Sequence, residues 1–289
     1  MERTAVLLDT DIGSDIDDAI ALGYLLRKPE CELVGVTTVT GDVGKRSALA
    51  EALCRAAGRP DIPVHSGARK SMLWGPGQPE VPQYEALKDP RPARRPEGTA
   101  VEFIRKTVRE RPGEITLLSI GPFTNVALLF AIDPEIPSLL KGFVSMAGMF
   151  FEGRIPEWNC RVDCVSTAMA YNARVPGHLS VGLDVTTKCR MKAVEVRSRF
   201  TKPPLDVVRD MAEVWFRKGD TVTFHDPLAA AVIFRPDLCT YEDGVVEVTV
   251  SSDEKTQGDT PFRKGAGPHR VAKTVKPEEF FSEYFSVFN

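Results

Sequence analysis

The chain reads as an α/β protein: an open, mostly parallel central sheet with helices on both faces and a small antiparallel addition toward the C-terminus. Three observations predict it. Apolar runs of strand length alternate with helical patterns through the first two thirds of the 289 residues. Turn residues and carboxylates cluster just after those runs, where open parallel sheets bind ligands. The last third changes to β-rich runs separated by a polar connection.

In chain order, Ala5–Leu8 predicts a strand, and Asp17–Arg27 a helix with Ala19, Ile20, Leu22 and Leu26 on its apolar face. Leu33–Val39 predicts a strand and Lys45–Ala57 a helix. Residues 74–96, from Trp74 to Pro96, are rich in Pro, Gly and charge without periodicity, the pattern of an active-site loop or a surface excursion. Val101–Arg109 then predicts a helix, Ile115–Ile120 a strand, Thr124–Ala131 a helix, Gly142–Met146 a strand, Cys164–Ala173 a helix and Leu179–Leu183 a strand. Leu205–Lys218 predicts a further helix. Near the end, Val245–Val250 and Arg270–Thr274 are expected to pair as antiparallel strands across the connection Ser251–Pro268, with Pro277–Phe288 helical.

Composition narrows the class. With 43% hydrophobic residues and no linker-like Gly/Ser run, residues 1–289 are expected to form a single domain. A net charge of −3 offers no electrostatic footprint for nucleic acid. No stretch approaches 18 apolar residues and no basic leader precedes the first strand, so neither a membrane span nor a signal peptide is expected, and the expected location is cytoplasmic. Six scattered cysteines are expected to be free thiols, since a chain of this size needs no staples. Cys160 and Cys164 lack two further soft ligands for zinc.

The most informative segment is Asp9-Thr10-Asp11-Ile12-Gly13-Ser14-Asp15-Ile16-Asp17-Asp18, five carboxylates in ten residues directly after an apolar run. Helix-start preference for negative charge accounts for Asp17 and Asp18. It leaves Asp9 and Asp11 unexplained, two residues apart at the mouth of a strand. So many acids repel one another unless a cation neutralises them, and a hard divalent metal is the natural partner.

Further signatures follow in order: Thr40-Gly41-Asp42, Gly121-Pro122-Phe123-Thr124-Asn125-Val126-Ala127, Pro156-Glu157-Trp158-Asn159 with Asp163, Gly182-Leu183-Asp184-Val185-Thr186, Phe224-His225-Asp226-Pro227-Leu228-Ala229 and Thr256-Gln257-Gly258. Together with the acidic segment they cover nearly the whole chain, and in this set it resembles the inosine-uridine-preferring nucleoside hydrolases. The resemblance implies calcium-dependent cleavage of the N-glycosidic bond of ribonucleosides, an enzyme of the glycosidase class, and a homo-oligomer, dimer or tetramer. It implies Asp11, Asp18, Asp226 and the backbone carbonyl of Ile120 as metal ligands, with Asp11 also activating water. Asp17, Glu157 and Asn159 are implied as contacts to ribose, with Asp42 and Met146 also on the substrate side. Chemically, calcium held by oxygens suits the task, since it lowers the pKa of bound water and an adjacent aspartate can take the proton.

Two departures mark this chain. The acidic loop holds two residues more than the commoner Asp-x-Asp-Pro-Gly-x-Asp-Asp form, which leaves Asp15 as an alternative to the Asp17-Asp18 assignment. Gly41-Asp42 stands where many members have Gly-Asn, adding a charge that binds substrate or tunes the metal. His225 is the candidate acid for the leaving base, its ordinary pKa lying near neutrality. The preceding helix offers Trp215 and Phe216 but no tyrosine, and His65, His178 and His269 look incidental. Two rival readings stand beside this one. Asp9-x-Asp11 after a first strand also fits a haloacid-dehalogenase-like phosphatase with Asp9 as nucleophile, although no second acidic pair follows convincingly. A non-catalytic nucleoside- or sugar-binding protein on the same fold is the other.

Overall fold

The computed structural model describes residues 3–73, 77–151 and 153–289. Its strands in chain order are β1 (Thr4–Thr10), β2 (Cys31–Thr38), β3 (Val64–Ser66), β4 (Ile115–Ser119), β5 (Gly142–Ser145), β6 (His178–Ser180), β7 (Arg190–Lys192), β8 (Thr221–Thr223), β9 (Cys239–Val246), β10 (Phe262–Lys264) and β11 (His269–Val275). Among the described residues nine of them form one sheet, ordered β10-β9-β11-β6-β5-β4-β1-β2-β3, and β7 pairs with β8 separately. Every pairing from β11 through to β3 is parallel, and β9 joins β11 antiparallel, with β10 antiparallel to β9. The expected mostly parallel sheet is therefore present, and the antiparallel addition is welded to its edge.

The connections are helical: α1 (Asp17–Arg27), α2 (Val43–Ala56), α3 (Ala100–Glu110), α4 (Thr124–Ile132), α5 (Ile136–Leu139), α6 (Trp158–Val162), α7 (Cys164–Asn172), α8 (Leu183–Thr186), α9 (Ala193–Arg199), α10 (Leu205–Trp215), α11 (His225–Ala231) and α12 (Pro277–Ser286). Alternation along β1 divides the core. Val6 and Leu8 join one buried cluster with Ile20 of α1, Met211 of α10, Leu228 of α11 and Phe280 of α12. Ala5 and Leu7 join the other with Ile104 of α3, Val126 of α4 and Tyr171 of α7. A strand buried on both faces reads as a continuous apolar run for this reason. Each such side chain contributes about 1.5–3 kcal/mol on burial.

The C-terminal pairing differs from the sequence expectation. Val245–Val250 does not pair with Arg270–Thr274; β11 pairs with the earlier residues of β9, from His269 opposite Gly244 to Val275 opposite Cys239. Residues after Gly244 are taken by the returning connection instead. β10 pairs with Val246, Val245 and Gly244, and the Glu247 and Thr249 amides donate to Pro261 O and Asp259 O, both at 2.9 Å. Backbone contact decides the crossover, because a Cβ on Gly267 would lie 2.1 Å from the Gly244 carbonyl oxygen. The helix expected to reach Lys218 ends at Trp215, and the strand expected over Leu179–Leu183 stops at Ser180. The six cysteines are buried and unbridged.

β1 has β2 on one side and β4 on the other, so the chain leaves it in opposite directions. In an open parallel sheet the crevice at such a switch point is where ligands sit. Asp11 follows β1 and Ile120 follows β4 at that place.

Candidate functional site

A cavity of about 580 Å³ opens over these strand ends. Its lining includes Asp11, Asp15, Asp17, Asp18, Ile120, Met146, Glu157, Asn159 and Asp226, together with His225, Trp215 and Leu183. Nine of the ten site residues expected from sequence line it. Asp42 does not: it caps α2, accepts from the Lys45 amide at 3.1 Å and pairs with the Lys45 ammonium at 3.3 Å.

The acidic loop and α11 meet here. Carboxylate oxygens of Asp17, Asp18 and Asp226 lie within 4.8 Å of one another, all three residues buried. The Asp226 amide donates to Asp17 Oδ2 at 3.1 Å, and the Thr10 hydroxyl donates to Asp18 Oδ1. Asp11 stands beside this trio, its charge raising the pKa of both Asp18 and Asp226. A Cβ on Gly121 would lie 2.9 Å from Asp11 Oδ1, so the glycine after Ile120 makes room for that carboxylate. Burial is the largest cause raising the pKa of Asp11, Asp17, Asp18 and Asp226, with mutual repulsion reinforcing it in the last three. Asp15, the alternative in the lengthened loop, also lines the cavity and is pushed up to about 6, by burial first.

One buried cation faces this cluster, and the sequence reading missed it. Arg46 of α2 is fully buried, and its guanidinium donates to the carbonyls of Asp11, Ile12, Thr40 and Gln78 rather than to carboxylates. It holds the loop's backbone while its charge lowers the pKa of Asp11 and Asp18. The lengthened loop is fastened from the segment expected to be irregular. Gln83 donates from its side chain to Ser14 O at 3.2 Å and from its backbone to Gly13 O at 3.2 Å; the Ser14 hydroxyl donates to Glu80 O at 3.0 Å. Part of that segment, Pro82–Ala86, is a short 3₁₀ helix, and Gln78 lines the cavity. Trp74, Gly75 and Pro76 lie outside the described residues. Gly41, at φ 65°, lets the turn approach: a Cβ there would lie 2.1 Å from Gln78 O.

Also in the lining, Glu157 caps α6, its carboxylate accepting from the amides of Asn159 at 2.8 Å, Cys160 at 3.1 Å and Gly148 at 3.3 Å. Burial nonetheless raises its pKa. Asn159 donates its side-chain amide to Ile120 O at 2.9 Å and Met146 O at 3.0 Å, joining the ends of β4 and β5. His225 turns Nδ1 to the Thr186 hydroxyl at 2.7 Å, and burial lowers its pKa to about 4.

Asp9 is elsewhere. It is fully buried, absent from the cavity wall, and its Oδ1 accepts from Thr37 at 2.5 Å and Asn125 at 2.8 Å. Asn125 also donates to Thr38 O at 3.1 Å and accepts from the Ala68 amide, so the Thr-Asn signature braces β1 against β2. Asp163 is likewise a support, accepting from Thr124 at 2.7 Å and from the Met72 amide at 2.9 Å. Other residues of the wall that the sequence did not single out include Ser14, Ile155, Arg161 and Lys218. Ser14 belongs to the acidic segment, whereas Ile155, Arg161 and Lys218 sit in no recognisable local pattern. His65, His178 and His269 lie off this wall.

The geometry has counterparts among known proteins. The pattern of the inosine-uridine preferring nucleoside hydrolases matches residues 6–282. Uridine nucleosidase 1 of Arabidopsis thaliana is 32% identical over 84% of this chain and 77% of its own length. The pyrimidine-specific ribonucleoside hydrolase RihA of Salmonella typhi is 32% identical over 88% of this chain and 87% of its own. Among solved structures, a plant nucleoside hydrolase superposes with a TM-score of 0.84 at 25% identity, covering 98% of both chains. The fold agrees with these relatives, and the chain belongs to the inosine-uridine preferring nucleoside hydrolase family, whose members are N-glycosyl hydrolases.

Proposed function

We propose that the protein hydrolyses the N-glycosidic bond of ribonucleosides to free base and ribose with the aid of a bound calcium ion. The observation that carries this reading is the meeting of Asp11, Asp17, Asp18 and Asp226 with Glu157, Asn159 and His225 in one cavity at the sheet's switch point. The donor set fits a hard cation. It consists of oxygens alone, its carboxylates repel one another, and Arg46, the one buried cation beside it among the described residues, directs its N–H groups to carbonyls. Asp11, Asp18, Asp226 and the Ile120 carbonyl would hold the ion. Bound there, it supplies the charge that keeps these carboxylates ionised and makes a nearby water easier to deprotonate.

The chain's own groups do the rest. Asp11 accepts the proton of the attacking water, whose oxygen bonds to C1′ while the C1′–N bond breaks and its electron pair leaves with the base. Asp17 accepts a hydrogen bond from a ribose hydroxyl. Asn159, with its N–H groups committed to Ile120 and Met146, presents Oδ1 to another, and Glu157 stands beside it with its carboxylate fixed by three amides. His225 is neutral near pH 7, so it serves the base as an Nε2–H donor, with Nδ1 accepting from Thr186. The names of the Arabidopsis and Salmonella relatives make pyrimidine ribosides the first substrates to try.

The burial of Asp9 speaks against an aspartyl-phosphate route, because a nucleophile must reach its substrate. A panel of purine and pyrimidine nucleosides, scored for free reducing sugar after chelation and after return of calcium, tests the proposal. Ribose released only with calcium restored is the expected result. No ribose from any nucleoside would overturn it in favour of a silent binding protein.

A further inference from the structure

At the C-terminal end of α10 the exposed cations are paired outward. Arg197 binds Glu213 at 2.7 Å, Arg217 binds Glu85, and Lys192 binds Asp220 at 3.2 Å. Lys218 differs. Among the described residues its ammonium has no hydrogen bond and no ion pair, and it lines the same cavity as Trp215 and His225. Its backbone is set by a turn in which its amide donates to Trp215 O at 3.0 Å, and Trp215 is held in turn by its indole N–H donating to Thr221 O at 3.1 Å. The carboxylates of the cavity lining, on the acidic loop, at the start of α6 and on α11, form no ion pair with it.

If ribose meets Asp17 and Asn159, and His225 meets the base, then the base shares the part of the lining that includes His225, Trp215 and Lys218. Departure of the base leaves the C1′–N bonding pair on it. In a base with an exocyclic oxygen conjugated to the departing nitrogen, such as uracil, that charge spreads onto the oxygen.

We infer that Lys218 is a catalytic residue for the leaving group, its ammonium donating a hydrogen bond to the exocyclic oxygen of an oxo-substituted base as negative charge builds there. No proton need transfer: the base leaves as the stabilised anion and is protonated by solvent after release. A donor whose partner gains charge only as the bond breaks acts mainly on the transition state, so its effect falls on kcat more than on KM. The inference rests on the nucleosidase reading and adds a residue and a preference to it, for oxo-bases whose anions are poorly stabilised in water.

The test uses the full-length, calcium-supplied protein and K218M and K218R variants on uridine, 5-fluorouridine and p-nitrophenyl riboside, in order of improving leaving group. A donor in a closed site is worth about 10²–10³ in rate. Lys218 is open to solvent and partly screened, so K218M is expected to lower kcat on uridine by about 10- to 100-fold. The loss should shrink through 5-fluorouridine to p-nitrophenyl riboside, and K218R should recover much of the uridine rate. Equal loss on all three substrates, or no loss on uridine, would overturn the role of Lys218 while leaving the nucleosidase reading intact. If the wild type releases ribose from none of them, the nucleosidase reading fails and the inference falls with it.

Discussion

The backbone amide of Asp226 donates to Asp17 Oδ2 at 3.1 Å, tying the acidic loop after β1 to the start of α11 across 209 residues of sequence. The bond draws two buried acids together without neutralising either. A cation held by Asp11, Asp18, Asp226 and the Ile120 carbonyl beside Asp17 should therefore stabilise the fold as well as serve the chemistry.

Calcium is expected to raise the melting temperature of the chelated protein. Saturation at about 100 times its dissociation constant corresponds to about 2.7 kcal/mol. In Asp226→Ala the shift should largely vanish. A calorimetric scan with and without calcium measures both, and an equal shift in the variant would remove Asp226 from the site.

The chelated protein should lose stability as pH rises. Asp9 and Asp15 are raised from 3.8 to about 7 and about 6, so between pH 4 and 7 the folded state holds protons that the unfolded state has released. Stability is greatest below the unfolded value and falls through the folded ones. Calcium should flatten the slope over the part due to carboxylates beside the ion. Urea midpoints measured from pH 4 to 7.5, with and without calcium, decide it; a midpoint that climbs with pH in the chelated protein would contradict the burial argument.

Asp11→Asn keeps the side chain's size and one oxygen beside Gly121, yet removes the proton acceptor. Ribosyl hydrolysis is expected to drop by about 10²–10⁴ or more on general-base grounds, with KM changed much less. Asp9→Asn should behave differently. Its Oδ1 can still accept from Thr37 and Asn125, so the variant should fold and hydrolyse nucleosides. A phosphoryl label on Asp9, or phosphate released from an ester, would favour the phosphatase.

His225→Ala is expected to slow cleavage of nucleosides, with a smaller effect on p-nitrophenyl riboside. Because burial holds the imidazole neutral, the rate profile between pH 6 and 8 should keep its shape in the variant. Disappearance of an ionisation in that range would show that His225 works as an imidazolium after all.

Much of this was legible in one dimension. Ala5 to Leu8 had to be a strand buried on both faces, because a continuous apolar run leaves no polar side for water, and the carboxylates directly after it had to sit at a sheet's ligand-binding edge. Local order also told which residues would follow each strand: Gly121 after β4 and Asp226 at the start of α11. The short helices α6, α8 and α11 span only a turn or two each, too few residues for a 3.6-residue period to stand out.

By itself the sequence determined the α/β alternation, the family's ordered signatures and the concentration of acids behind β1, since these depend on residue type and local spacing. Tertiary structure decided what each acid faces. Asp9 is locked into hydrogen bonds beneath the site and Asp11 opens into it: residues two apart in a pleated strand would share a face, so the difference rests on the chain leaving β1 after Thr10. It also decided that Asp42 caps a helix, that Arg46 reaches 35 residues back to the Asp11 carbonyl, and that β9 meets β11 earlier than its valines suggest. Each of these depends on which distant backbone groups need partners, and hydrogen-bond demand between remote segments leaves no periodic trace in the chain.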